Sequence, residues 1–447
     1  MVKLAVPTPV VMLLTPMLLL AGVARTDPPR PQPSVPQRQW QQMEMNAFVH
    51  FGPNTFTGSE WGSGLEDPQV FAPSAFDARQ WVRAFKKAGF AGVILTAKHH
   101  DGFCLWPSRH STHTVARSRW RSGAGDVVGE VARACRDEGL RFGVYVSPWD
   151  RNHPDYGTRA YNDVFVAMLE EVLGGYGPVF EVWFDGANGE GPNGKRQEYD
   201  WPRFIGTVRR LQPHAVIFSD AGPDVRWVGN ERGEAPLTVW STIDRARYVP
   251  GTPLSDELGE GTPYGADWVP PECDVSIRPG WFYRADQDAR VKTGAQLASL
   301  YERSVGRNCT LLLNVPPDRR GLLADADLAS LSDMRRRLDA TYGRDLAAGA
   351  VRDDGFRLTT LTVSGAAQFD RVLVQEDVTH GQAVAGFVVE AQPRAGAPWE
   401  QIATGSTIGH KRILPVPRTR ASAVRVRVLD AHGEPRLGRV SLHATPE

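Results

Sequence analysis

Residues 179–189 read VFEVWFDGANG. An apolar run reaches Trp183, Phe184 and Asp185, and a glycine-rich loop comes next. A continuous rather than alternating apolar run marks a strand buried on both faces, as in parallel sheets. A carboxylate at the end of such a strand is costly unless something uses it. The same texture recurs along the chain, at MNAFVHFG (45–52), AGVILTAKHH (91–100), RFGVYVSP (141–148), AVIFSD (215–220), PLTVWS (236–241), DVSIRPGWFY (274–283) and CTLLLNVPP (309–317). Helical periodicity falls between these runs at 77–88, 126–138, 161–173, 201–211 and 294–305, with Asp77 and Asp126 as starts and Gly89 and Gly139 as stops. Strands alternating with helices predict an α/β chain built as a (β/α)8 TIM-like barrel, with a doubly wound sheet as the alternative. Polar residues favour the barrel, because His50, Lys98, His99, His100, Tyr145, Asp185 and Asp220 stand where strands end. In barrels that end carries the active site.

The barrel reading covers residues 39–344, with 324–341 as its last helix or the connection to the C-terminal region. After residue 345 the pattern changes to short alternating runs, FRLTTLTVSG, FDRVLVQED, AGFVVEAQ, SAVRVRVLD and GRVSLHA. These predict a C-terminal β-sandwich over 345–447. At the other end, a short basic start, an apolar stretch and Gly22-Val23-Ala24 read as a signal peptide over 1–24. A membrane-spanning helix is the alternative, interrupted by Pro7, Pro9 and Pro16. Residues 25–38 are Pro-rich and read as a linker. An exported protein, periplasmic or extracellular and without a membrane anchor, is expected.

The 447 residues carry 51 Lys+Arg and 51 Asp+Glu, which offers no electrostatic footing for nucleic acid. The four cysteines, Cys104, Cys135, Cys273 and Cys309, match no zinc spacing. Buried free thiols are expected for all four, with one bridge as the alternative.

The chemistry narrows by class. GxSxG is absent, and no GxGxxG succeeds a first strand. The His99-His100-Asp101 run lacks the HExxH spacing, and neighbours on a strand face opposite ways. Recognition of substrate hydroxyls is therefore expected of the histidines rather than metal, with hydrogen bonds within the fold as the bland reading. Carboxylates near strand ends are Asp185, Asp220, Glu231, Glu257, Glu260, Glu272 and Asp274. Two convergent carboxylates on a barrel rim suit glycoside hydrolysis, one attacking or activating water and the other protonating the leaving oxygen. Trp61, Trp106, Trp149, Trp183 and Trp281 are candidate platforms for apolar sugar faces, with core packing as the alternative.

At this point the stretches FVHFGPNTFTGSEWG, GVILTAKHHDGFCLWPS, FGVYVSPWDRN, FEVWFDGANGEGPNGKRQEYDW, DVRWVGNE, DVSIRPGWFY and LLLNVPPDRRGLL resemble the α-L-fucosidases of glycoside hydrolase family 29. They are similar in particular to the branch acting on α-1,3- and α-1,4-linked fucose of Lewis-type structures. The resemblance runs from about residue 40 to the C-terminus. It implies a retaining exo-hydrolase with Asp185 as nucleophile and Glu231 as general acid/base. It further implies substrate-binding roles for His50, Glu60, Trp61, His99, His100, Tyr145, Trp183, Arg226 and Trp281. Glu272 is kept as an alternative acid/base or as an aglycone contact. Neither metal nor cofactor is implied. The expected partner is a fucosylated oligosaccharide or glycoconjugate, and the oligomeric state stays open. A fucose-binding lectin on an inactive barrel, or a glycosidase for another deoxy-sugar, are the alternatives. Arg284, after WFY, departs from the His expected there.

Overall fold

The structure is a computed structural model that describes residues 30–251 and 256–446. The expected signal peptide and residues 25–29 of the expected linker lie outside the described residues. Eight parallel strands form one sheet: β1 (Met45–Val49), β2 (Gly92–Lys98), β3 (Arg141–Val146), β4 (Glu181–Trp183), β5 (Val216–Phe218), β6 (Arg226–Trp227), β7 (Pro271–Ser276) and β8 (Thr310–Asn314). Their order is β5-β4-β3-β2-β1-β8-β7-β6. An isolated parallel bridge between Phe218 and Val225 joins β5 to the approach of β6 and completes the ring.

The helices form where apolar spacing and caps agree. In α2 (Ala78–Ala88), Asp77 accepts the N–H groups of Arg79 and Gln80, and Gly89 closes the helix at φ 90°. The left-handed conformation there suits a residue without Cβ. Its inner face buries Trp81, Phe85 and Ala88 against the barrel. Truncating an aromatic buried in this way costs about 3–5 kcal/mol. α3 (Val127–Glu138), α4 (Arg159–Gly175), α5 (Trp201–Leu211), α6 (Gly294–Arg303) and α7 (Asp325–Tyr342) come after β2, β3, β4, β7 and β8.

Four features depart from the expectation. The linker's last residues are helical: α1 (Val35–Met43) starts at a Ser34–Gln37 capping box. It leads into β1 at the foot of the barrel, and Trp40 joins the inward-facing cluster with Phe48, Tyr145, Trp183 and Phe218. The sixth strand is Arg226–Trp227 rather than 236–241. The apolar residues of that run, Val239 and Trp240, are buried, but Val239 N–H donates to Thr407 Oγ1 in the C-terminal region at 2.9 Å instead of to a barrel neighbour. No helix succeeds β5 or β6 on the barrel wall among the described residues. The connection after β6 is long and irregular, with a small antiparallel pair, Thr242–Ile243 with Asp267–Trp268, and a five-residue helix, Asp256–Glu260. Finally, Cys273 in β7 forms a disulfide with Cys309, the residue just before the adjacent strand β8, while Cys104 and Cys135 are buried free thiols.

The C-terminal region is a six-stranded antiparallel sheet: β9 (Val351–Gly355), β10 (Leu358–Glu376), β11 (Val384–Gln392), β12 (Glu400–Gly405), β13 (Arg412–Ala431) and β14 (Leu437–His443). The long strands β10 and β13 shift register between Thr362 and Ala367, so one strand serves two of the expected runs. The sheet encloses its own core around Phe369, Phe387, Val424 and Leu442. It is tied to the barrel by Arg371 with Glu302 and Lys411 with Glu44.

Candidate active site

Asp185 stands directly beyond β4. Side chains alternate along a strand, so Glu181 and Trp183 share its inward direction. Its carboxylate is half-buried and fixed by two hydrogen bonds. Ala187 N–H donates to Oδ1 at 2.7 Å, and Tyr145 Oη donates to Oδ2 at 3.0 Å. His100 Nε2 stands 3.8 Å from Oδ2. The two glycines beyond Asp185 are close-approach residues. A Cβ on Gly186 would meet Asp220 Oδ2 at 2.0 Å, and one on Gly189 would meet the Trp149 indole at 2.1 Å. Asp220 uses that approach to bind the backbone N–H groups of Gly186 and Gly251, so it clamps two loops beside the nucleophile candidate.

The three histidines form a wall. His50 and His99 are 5.4 Å apart between ring centres, and His99 and His100 are 4.2 Å apart. Asn314 Nδ2 donates to Ser276 Oγ and to the Trp281 carbonyl, which turns its Oδ1 toward His50 Nδ1 at 2.9 Å. His50 therefore donates through Nδ1 and offers Nε2 as an acceptor. Ser147 Oγ donates to the Trp149 carbonyl, so it accepts from His100 Nδ1 at 2.8 Å. His100 Nε2 is likewise an acceptor. Burial lowers His50 to about 3 and His100 to about 4, so both stay neutral. Neutral imidazoles with free acceptor nitrogens suit hydroxyl groups. Buried His99 Nδ1 has no protein partner among the described residues. Treatment with a chelator is expected to leave turnover of an aryl fucoside unchanged. Stoichiometric zinc that leaves together with activity, measured by elemental analysis, contradicts this.

Glu231 lies on the rim beyond β6, not after the fifth strand. The Trp281 indole donates to its carboxyl, yet burial and the charge of Asp185 raise its pKa. Glu60 accepts the backbone N–H groups of Trp281 and Phe282, fixing that loop, and is itself raised by burial with Glu231 nearby. Trp61 is 56% exposed and stands edge-on to His100 and Trp149. Trp183, Asp185, Asp220, Trp227, Glu231 and Asp274 share the walls of one cavity of about 740 Å³.

Two expected residues are elsewhere. Arg226 is fully buried, and its guanidinium donates to the carbonyls of Trp240, Leu258, Gly259 and Val269. It sits beside Trp227 on a strand, so when Trp227 faces the cavity Arg226 must face away. It organises the long connection and does not reach a sugar. Arg226→Met should lower stability by about 3 kcal/mol or more, because several buried carbonyls lose their donor; a denaturant melt measures this. Glu272 lies inside β7, not before it, and is fully buried in the barrel. It accepts from Trp183 Nε1 at 3.0 Å and cannot contact an aglycone on the rim.

Among the remaining candidates, Trp106 is core, donating to Glu171 at 2.9 Å. Glu260 lies in the long connection, and the Glu257 side chain is outside the described residues. Asp274 is more prominent than its sequence context suggests. It is inward-facing on β7, 5% exposed, accepts from Trp227 Nε1 at 2.5 Å, and is raised to about 8, chiefly by burial. Trp227 itself is not foreseen from sequence. The only hint is its place next to Arg226 before a glycine turn.

The α-L-fucosidase family model matches residues 33–341. The chain is 42% identical to α-L-fucosidase 1 of Arabidopsis thaliana over 86% of its own length and 81% of that protein. A family 29 glycoside hydrolase from an unknown rumen bacterium superposes with a TM-score of 0.89 at 40% identity, covering 94% of this chain and 78% of the other. A Ruminococcus gnavus family 29 fucosidase, solved in complex with fucose, gives 0.85 at 31% identity over 93% and 95% of the two chains.

Proposed function

Since the chain belongs to the α-L-fucosidase family, we propose that this glycoside hydrolase releases terminal α-1,3- or α-1,4-linked L-fucose from Lewis-type oligosaccharides or glycoconjugates with retention of configuration. Asp185 is the nucleophile and Glu231 the general acid/base. The observation that carries this is the asymmetry of the two carboxyls around one cavity. Asp185 is held rigid by Tyr145 and Ala187, as an attacking group must be. Glu231 has its acidity weakened by burial and by the Asp185 charge, which suits a proton donor. In the first step Asp185 attacks the anomeric carbon as Glu231 protonates the departing oxygen, leaving a fucosyl ester. In the second, Glu231 deprotonates water, which attacks that ester. The neutral histidines accept from fucose hydroxyls, Trp281 supplies apolar ring surface, and an edge of Trp183 lines the cavity. The N-terminal sequence supports export of the enzyme by a signal peptide.

Fucose release from Lewis trisaccharides and from an α-1,2-linked fucoside, measured side by side, tests the linkage. Faster release from the Lewis compounds is expected. Equal or faster release from the α-1,2 compound overturns the branch assignment. Binding of fucosides without turnover would favour the lectin alternative.

A further inference from the structure

The barrel interior holds two carboxyl groups for which the proposed reaction has no use. Glu181 on β4 and Glu272 on β7 are both 0% exposed. Their strands are not neighbours in the ring, so the side chains meet across the barrel axis. Trp40 Nε1, from the helix that closes the barrel foot, donates to Glu181 Oε2 at 2.7 Å. Trp183 Nε1 donates to Glu272 Oε2 at 3.0 Å. The other oxygen of each, Glu181 Oε1 and Glu272 Oε1, finds no donor among the described residues, yet the two carboxyls are within hydrogen-bonding reach of one another. Two ionised carboxylates cannot occupy such a place, because like charges in a dry interior repel strongly. One proton between the facing oxygens satisfies both.

Above this pair the contacts continue to the reacting carboxylate. The Trp183 indole is clamped between Phe218, at 4.0 Å and 8° between ring planes, and Tyr145, at 5.2 Å and 28°. Tyr145 Oη then donates to Asp185 Oδ2 at 3.0 Å. The column thus runs from Trp40 through the acid pair and Trp183 to Tyr145 and Asp185.

We propose that Glu272, joined to Glu181 by a single shared proton, is the positioning residue that fixes the Trp183 indole and, through its ring stack, Tyr145 and the Asp185 carboxylate. Its importance for rate rests on the reading of Asp185 as nucleophile; the shared proton does not.

The single proton makes a specific demand. Glu272→Gln supplies an amide N–H toward the Glu181 carboxylate and keeps an oxygen for Trp183. Glu181→Gln does the converse. Each should retain kcat within about threefold, since one donor still stands between the two groups. In Glu181→Gln/Glu272→Gln both amide oxygens are engaged by indoles, so donor faces donor. That variant should lose kcat by more than the product of the single effects, with KM little changed. Glu272→Leu, which strips the acceptor from Trp183, should lose kcat about 10- to 100-fold, as expected of a small displacement near the reacting group. Difference infrared spectra at neutral pH should show one protonated carboxyl lost in each single Gln variant, whatever the activity. The proposal is overturned if neither single variant loses that band, if a folded Glu272→Leu keeps normal kcat, or if the double Gln variant is merely multiplicative. Loss of the band with normal kinetics in all variants refutes the positioning role and retains the proton. Failure of azide to rescue Asp185→Ala would instead count against the nucleophile assignment.

Discussion

Asp185→Ala is expected to lose activity by about 10³-fold or more, close to 4 kcal/mol of barrier. The size derives from what the side chain does. It forms the bond that divides one difficult displacement into two, and Ala leaves nothing within reach of the anomeric carbon. Ordinary destabilisation cannot mimic this loss. Asp185 keeps 24% of its side-chain surface exposed, and its removal opens no apolar void. Tyr145 and Ala187 each lose one hydrogen bond, at a cost of about 1 kcal/mol apiece. Azide should restore part of the turnover by entering the vacated space, giving a fucosyl azide of inverted configuration. Inversion matters more than rate here, because a single displacement on the face normally used by Asp185 can give no other product. A retained product, or near-normal activity without azide, removes Asp185 from the role.

The strand end that carries Asp185 was legible because its neighbours left few options. An apolar run buried on both faces, closed by a carboxylate and then by glycines, reads as a barrel strand feeding a site. His50, His99, His100 and Tyr145 likewise stand at or beside the ends of apolar runs that form strands. The helix boundaries at Asp77, Gly89, Asp126 and Gly139 were local and equally readable. The failures share a cause as well. A two-residue strand, Arg226–Trp227, has no periodicity to detect, so the longer apolar run at 236–241 took its place in the count. That run is buried by packing against the C-terminal region, a partner invisible to local pattern. Misplacing β6 also hid which of Arg226 and Trp227 faces inward. The Cys273–Cys309 bridge depends on β7 and β8 being neighbours, which a spacing of 36 residues does not disclose. Glu272 precedes the apolar run at 274–283, whereas the strand itself opens at Pro271 and carries Glu272 into the barrel.

Glu231→Ala should separate substrates by leaving group. Formation of the fucosyl ester needs a proton for the departing oxygen only when that oxygen is a poor leaving group. A sugar hydroxyl is poor, and an activated aryl oxide is not. The variant should therefore form the intermediate from an aryl fucoside at near-normal rate and accumulate it, since the same residue activates water in the second step. Release of fucose from a Lewis trisaccharide should fall by about 10²- to 10⁴-fold. The pH dependence carries the sign of the assignment. A carboxyl whose pKa is raised keeps its proton to higher pH, so activity on the natural substrate declines as pH climbs through that value. Ester formation from the aryl fucoside, which needs no proton, should lack that alkaline decline in the wild-type enzyme as in Glu231→Ala. Asp274 is the competitor that the structure supplies. It shares the cavity wall, its pKa is pushed up to about 8, and Glu231 and Asp185 both contribute to that rise behind burial. Its carboxyl, however, is 5% exposed and engaged by Trp227 Nε1, which leaves it poorly placed to reach a departing oxygen. Asp274→Asn should accordingly weaken binding of oligosaccharides while leaving the ratio of aryl to natural substrate rates unchanged. If that ratio rises in Asp274→Asn and stays flat in Glu231→Ala, Asp274 is the acid and Glu231 belongs to the rim.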